Sequence, residues 1–78
     1  MPNRTDICKN IAIGKMLKNA RQAKGVTQSQ MSIAIDVSKN HLSAIERGQS
    51  KASVEILLGY CARLQMTPNE ILGYKEQQ

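Results

Sequence analysis

The sequence predicts an all-α fold of five short helices, and three observations carry that expectation. With no Trp or Phe and only two Tyr, Tyr60 and Tyr74, the core must be filled by aliphatic residues, Met and Ala, a composition that suits helices better than sheets. Apolar residues recur at three- and four-residue intervals along most of the chain. Helix start and stop signals alternate at the spacing of short helices, with Thr27, Ser38, Ser53 and Thr67 as caps and Gly25, Gly48 and Gly73 as terminators. Seventy-eight residues make one domain at most, and a chain this short buries only about 60% of its unfolded surface, so the core must be compact.

The first helix is expected from Cys8 or Ile11 to Lys24, with Ile13, Leu17 and Ala20 on one stripe and Gly25 as a left-handed cap. Residues 1–10 then form a partly ordered N-terminal arm, residues 11–73 the folded domain, and residues 74–78 a short tail. Thr27 caps a second helix over Gln28 to Ile35, and Ser38 caps a third over Lys39 to Arg47, which Gly48 ends. Ser53 opens a fourth helix whose inward positions read as Val54, Leu57, Leu58, Cys61 and Leu64. Gly59 weakens that helix by roughly 1 kcal/mol relative to Ala. The fifth begins TPNE, with Thr67 as cap, Pro68 at the first helical position and Glu70 completing a capping box.

Charge is distributed unevenly. Residues 1–51 hold nine Lys/Arg against three Asp/Glu, a balance of +6, whereas residues 52–78 hold two against three, a balance of −1. A basic N-terminal two-thirds points to a polyanion partner. An anionic membrane is the poorer fit, because the first helix has its apolar positions committed to the core and no run of 18 apolar residues occurs. Cys8 and Cys61 lie too far apart for a C-x-x-C pair and His41 has no ligand-spaced neighbours, so neither a metal site nor a disulfide framework is expected. Cys61 reads as a small core residue and Cys8 as an incidental thiol. The N-terminus has no signal-peptide pattern, and a reduced, cytoplasmic setting is expected.

The window from Gln28 to Arg47 fits a helix-turn-helix, in which two helices meet at a steep angle around an apolar corner. Met31, Ile35, Val37, Leu42 and Ile45 supply that apolar side. Lys39, Asn40, Ser43 and Ala44 are left on the outward, N-terminal face of the second of these helices, the part that this motif lays in a DNA major groove.

At this level of detail TQSQMSIAIDVSKNHLSAIERG, followed by SVEILLGYCARLQMTPNEIL, resembles the Cro/CI-type, XRE-like helix-turn-helix family of bacterial and phage regulators. The likeness runs from about Ile11 to Leu72 and implies a compact five-helix, lambda-repressor-like domain. Two positions depart from the usual pattern: Asp36 stands at the corner where Gly is common, and Ser32 stands where Ala usually packs. Asp tolerates a left-handed backbone and Ser is nearly Ala-sized, so the fold survives both.

The resemblance implies roles residue by residue. Lys39, Asn40, Ser43 and Ala44 would read base edges: Lys donates to guanine, Asn pairs with adenine and the Ala methyl packs on thymine. Gln28, Ser38, His41, Arg47, Gln49, Ser50 and Lys51 would hold the DNA backbone. Arg21 and Glu46 match the family's structural ion pair. One recognition helix contacts few bases, so a homodimer on a short inverted repeat is implied, with Ile56, Tyr60, Met66 and Ile71 expected at the interface. The function expected is that of a sequence-specific DNA-binding transcriptional regulator, a repressor by type, whose partner is double-stranded DNA. The alternative is an interaction module of antitoxin type. An enzyme is not expected, since no nucleophile partners His41 and no phosphate-binding loop is present; nor is a cofactor, a metal or a small-molecule ligand.

Overall fold

The computed structural model describes residues 4–73, and along them five helices follow one another: α1 (Arg4–Ala23), α2 (Gln28–Ala34), α3 (Lys39–Glu46), α4 (Val54–Leu64) and α5 (Pro68–Leu72). There is no strand among the described residues. Short turns connect the helices; the sequential pairs α2–α3 and α4–α5 pack on each other, whereas α1 packs chiefly on helices further along the chain. α1 touches α3, α4 and α5; α2 touches α3 and α4; and α4 touches α5.

The caps form where their residue types lead one to expect them. The hydroxyls of Thr27, Ser38, Ser53 and Thr67 each accept from the backbone N–H three residues on, and Gln30 and Glu70 return the bond to complete two capping boxes. Gly25 takes φ +70° as the chain leaves α1, and the Val26 N–H closes the turn on the Arg21 carbonyl at 3.1 Å.

α1 begins at Arg4 rather than at Cys8 or Ile11, so residues 4–10 of the expected arm are helical. Nothing between Arg4 and Ile13 breaks a helix: the stretch has no Gly or Pro. The first three residues and the tail from 74 onward lie outside the described residues.

Leu17, Met31, Leu42, Ile45 and Tyr60 are the largest fully buried side chains. Around them lie Ala20, Val26, Ile56, Cys61, Leu64 and Ile71, with Ile13, Ile35, Val37 and Leu57 packed at the edge. The inward face of α4 keeps the expected Cys61, Leu64 and, at its edge, Leu57, but not the expected Val54 and Leu58. Ile56 and Tyr60 point into the core, while Val54 is 70% exposed and Leu58 52%. The run V-E-I-L-L-G-Y-C offers two apolar faces, and hydrophobic periodicity alone does not choose between them. Tyr60 does, because its hydroxyl has a buried polar partner only when it is turned inward.

Three of the four residues expected at a dimer interface are therefore core residues: Ile56, Tyr60 and Ile71 are 8%, 0% and 5% exposed. Met66 is half-buried against the same core. A side chain sealed within its own domain cannot meet a second copy.

Candidate nucleic-acid interface

α2 and α3 meet at a corner made by Ile35, Asp36 and Val37. Asp36 adopts φ +57°, a left-handed conformation that Asp tolerates better than most residues. The Val37 N–H donates to the Ser32 carbonyl at 3.0 Å and secures the turn. Ser32, buried, donates its hydroxyl to the Ser29 carbonyl at 2.8 Å, so its polar atom is satisfied within its own helix.

α3 is two-faced. Leu42, Ile45 and Glu46 are buried against the rest of the domain. At 100° per residue the opposite side carries Asn40, Ala44 and Arg47, with Ser43 beside them and Lys39 at the start of the helix. Lys39, Asn40, His41 and Arg47 are exposed, and Ser43 and Ala44 are half-exposed. Just beyond the helix, Gln49 and Lys51 are exposed and Ser50 is half-exposed. Apart from Gln28, which opens α2, the expected base-reading and backbone-holding residues thus gather on α3, its capping residue Ser38 and the turn that follows. The Ser38 hydroxyl accepts from the His41 N–H at 3.1 Å, leaving its own O–H available.

What holds α3 in place is a buried polar cluster centred on Glu46. Arg21 reaches from α1 as a two-pronged donor, Nε to Oε2 at 2.8 Å and Nη2 to Oε1 at 2.9 Å. Tyr60 of α4 donates its hydroxyl to Oε2 at 2.6 Å, and Gln28 of α2 donates its amide to Oε1 at 3.1 Å. Arg21 spends a further N–H on the Val26 carbonyl at 2.7 Å, which ties in the turn after α1. One carboxylate therefore joins four helices, and no buried side-chain polar atom among the described residues lacks a partner.

The electrostatics follow from this packing. Burial works against the Glu46 charge, but the hydrogen bonds from Arg21, Tyr60 and Gln28 outweigh it and hold the carboxyl below its ordinary range. The bond to Glu46 raises the Arg21 guanidinium further. Burial, reinforced by the neighbouring Glu46 carboxylate, pushes the Tyr60 phenol up. Burial likewise raises the Cys61 thiol.

Glycine permits the close crossing of α1 over the end of α3. A Cβ at Gly14 would lie 2.3 Å from the Ile45 carbonyl oxygen and 2.8 Å from that of Glu46. Gly48, at φ +80°, has no more room: a Cβ there would stand 2.5 Å from the Ile11 Cα. Sequence reasoning found Gly48 as a terminator but missed Gly14, and its one signal was a Gly amid good helix formers. It missed Tyr60 as a polar partner for the same reason: a Tyr in an apolar run reads as bulk.

A helix-turn-helix family model matches residues 17–71, which spans α2, α3 and the core that carries them. The chain belongs to the XRE-like helix-turn-helix family. Among curated members of known role, the transcriptional regulator ClgR of Mycobacterium tuberculosis is 37% identical over 60 residues, covering 77% of this chain and 54% of ClgR. Antitoxin PezA of Streptococcus pneumoniae is 31% identical over 61 residues, 78% of this chain and 39% of PezA. The chain thus spans about half the length of ClgR and less of PezA. Among solved structures, the clp gene regulator ClgR of Corynebacterium glutamicum superposes with a TM-score of 0.78 at 34% identity, over 83% of this chain and 69% of that one. The restriction-modification controller protein C.AhdI of Aeromonas hydrophila gives 0.75 at 25% identity, over 82% and 97%. No helix among the described residues of this XRE-like domain is long and apolar enough to cross a membrane.

Proposed function

We propose that this XRE-like protein is a sequence-specific DNA-binding transcriptional regulator of the cytoplasm that lays α3 in the major groove of a short inverted repeat and acts as a homodimer. The observation that carries the reading is the outer face of α3. Its polar and cationic side chains are free of the core while the helix itself is fixed by Leu42, Ile45 and the Glu46 cluster. Lys39, Asn40, Ser43 and Ala44 are the base readers in this account. Gln28, Ser38, His41, Arg47, Gln49, Ser50 and Lys51 hold phosphates, and the excess of +6 over residues 1–51 supplies the sequence-independent attraction. The deciding experiment is selection of bound duplexes from a random pool. An enriched two-fold symmetric sequence supports the reading, and failure to enrich any sequence at low salt refutes it.

A second reading, an interaction module whose main task is to hold a protein partner, draws on the likeness to PezA. It predicts tight capture of a protein partner by a chain whose α3 substitutions Lys39→Ala and Asn40→Ala leave that capture intact.

A further inference from the structure

Gln28 is unlike the other side chains expected to hold the DNA backbone. It opens α2 instead of lying on α3 or its flanks, and it is half-buried, with its amide nitrogen donating to Glu46. An ionised carboxylate only accepts, so the end of the Gln28 amide that faces Glu46 is the NH2 group. The bond at 3.1 Å takes one of the two N–H donors, which leaves the second N–H and the Oε1 carbonyl. Neither has a partner among the described residues, and Oε1 is not sealed from water. Of the two, only the N–H serves a phosphate oxygen. The amide can therefore act on a phosphate only if it is held the right way round.

The hold runs through Glu46 to Tyr60. Oε2 of Glu46 accepts from Arg21 Nε at 2.8 Å and from Tyr60 Oη at 2.6 Å, while Oε1 accepts from Arg21 Nη2 at 2.9 Å and from Gln28. These bonds use about all four lone-pair sites of a carboxylate. The Arg21 fork alone leaves the carboxylate able to rock about the line joining the two groups. Tyr60 meets one oxygen from a different helix, at the short distance of a charge-assisted O–H···O⁻ bond, and stops that rocking. Because a carboxylate is one rigid plane, a hold on Oε2 is a hold on Oε1, where Gln28 is attached. Tyr60 has no freedom of its own to follow a moving partner. It is fully buried, and Gly59 beside it lets α4 close on the α2–α3 corner, where a Cβ would stand 2.7 Å from Ile35 Cγ2.

We infer that Tyr60, sealed in the core and out of reach of any duplex, is a positioning residue for DNA contact: through Glu46 it holds the Gln28 amide with its free N–H turned toward a backbone phosphate. The inference rests on the functional reading above, in which Gln28 holds the DNA backbone, and assigns the residue that fits it for that task. Phosphates are the same in every sequence, so loss of the hold weakens all duplexes alike and leaves base preference unchanged. A role confined to stability acts otherwise. It lowers the melting temperature and leaves the affinity of the folded protein as it was.

The test uses the full chain well below the melting transition of every variant, with two readouts. The first is the heteronuclear NOE of the Gln28 side-chain amide nitrogen in the free protein, which should report a rigid amide in the wild type and a mobile one in Tyr60→Phe. The second is affinity for duplexes of selected and of scrambled sequence at one salt concentration. Gln28→Ala should weaken both by roughly fivefold, the scale of one hydrogen bond, and Tyr60→Phe by roughly threefold. Where Gln28 is already truncated, Tyr60→Phe should add less than about 1.5-fold, since no amide is left to position. Cys61→Ala, a truncation beside Tyr60 that leaves the cluster intact, should move neither readout. An amide as rigid in Tyr60→Phe as in the wild type would overturn the inference. So would unchanged affinity in Tyr60→Phe, effects of Tyr60→Phe and Gln28→Ala that multiply, or effects of Cys61→Ala as large as those of Tyr60→Phe. A chain that binds no duplex at low salt refutes the functional reading, and the amide alone then decides whether Tyr60 holds Gln28.

Discussion

Removing the carboxylate of Glu46 should unfold most of the margin on which the domain depends. In Glu46→Ala the Arg21 guanidinium stays buried with its two-pronged acceptor gone, and the Tyr60 hydroxyl and Gln28 amide lose the same partner. Breaking a buried ion pair from one side costs about 3–5 kcal/mol, because the stranded charge has been taken out of water for nothing. Stability of roughly 0.05–0.15 kcal/mol per residue gives a chain of this size about 4–12 kcal/mol in total. With about 4–8 °C of melting temperature per kcal/mol in small domains, the expected fall is at least about 12 °C. Thermal melts followed by far-ultraviolet circular dichroism at neutral pH measure it directly. Replacing both partners, Arg21→Met with Glu46→Leu, should cost less than the sum of the two single changes, since neither then strands a charge. A Glu46→Ala melt within about 4 °C of wild type, or strict additivity in the double variant, would show that the cluster does not hold α3 in place.

The same cluster sets two pH limits. Glu46 is depressed in the folded state, so its contribution is complete above the ordinary carboxylate pKa near 4.3 and is lost as pH falls through the lower folded value; the gap between wild type and Glu46→Ala should narrow below about pH 4. Tyr60 is raised in the folded state, so stability should decline once pH passes the ordinary phenol value near 10, and Tyr60→Phe should lessen that alkaline decline in melts taken across the range. Gly14→Ala, which helix propensity alone would favour by about 1 kcal/mol, should instead destabilise by about 1–3 kcal/mol in denaturant titrations, because its Cβ would meet the Ile45 and Glu46 carbonyls. Lys39→Ala and Asn40→Ala should each relax base preference by about 1–3 kcal/mol at one or two positions, whereas Lys51→Ala should weaken all sequences alike and lower the salt dependence; equal effects on the selected motif would contradict the assignment of roles.

Much of the fold could be read in the sequence because its boundaries rest on local chemistry. A capping hydroxyl acts on an N–H three residues away, and a glycine terminator acts on its own φ, so Thr27, Ser38, Ser53, Thr67 and Gly25 declare themselves without tertiary context. The α2–α3 corner was legible for the same reason, down to the tolerance of Asp36 for a positive φ. The phase of α4 was not. Val54 and Leu58 on one face and Ile56 and Tyr60 on the other are comparably apolar, and the choice between them was made by a hydrogen bond to Glu46, fourteen residues away. Gly14 was opaque for a kindred reason, since its role depends on carbonyls more than thirty residues along the chain. Of the candidate site, the outward residues of α3 follow from helix periodicity once the inward ones are known. Gln28 as a donor to Glu46 does not, because that contact joins two helices at an angle no sequence pattern specifies.

Because α1, α2, α3 and α4 all bond to one carboxylate, none of them can open alone without breaking the shared cluster. The domain therefore has little scope for partial unfolding, and slowly exchanging amides from all four helices should approach a single protection level set by global unfolding. Under the proposed function, α3 held in this way would offer its side chains to a duplex as a preset pattern. In the proposed complex, adjustment to a poorly matched DNA sequence would then come from bending of the DNA, since the interior of the domain has none to give.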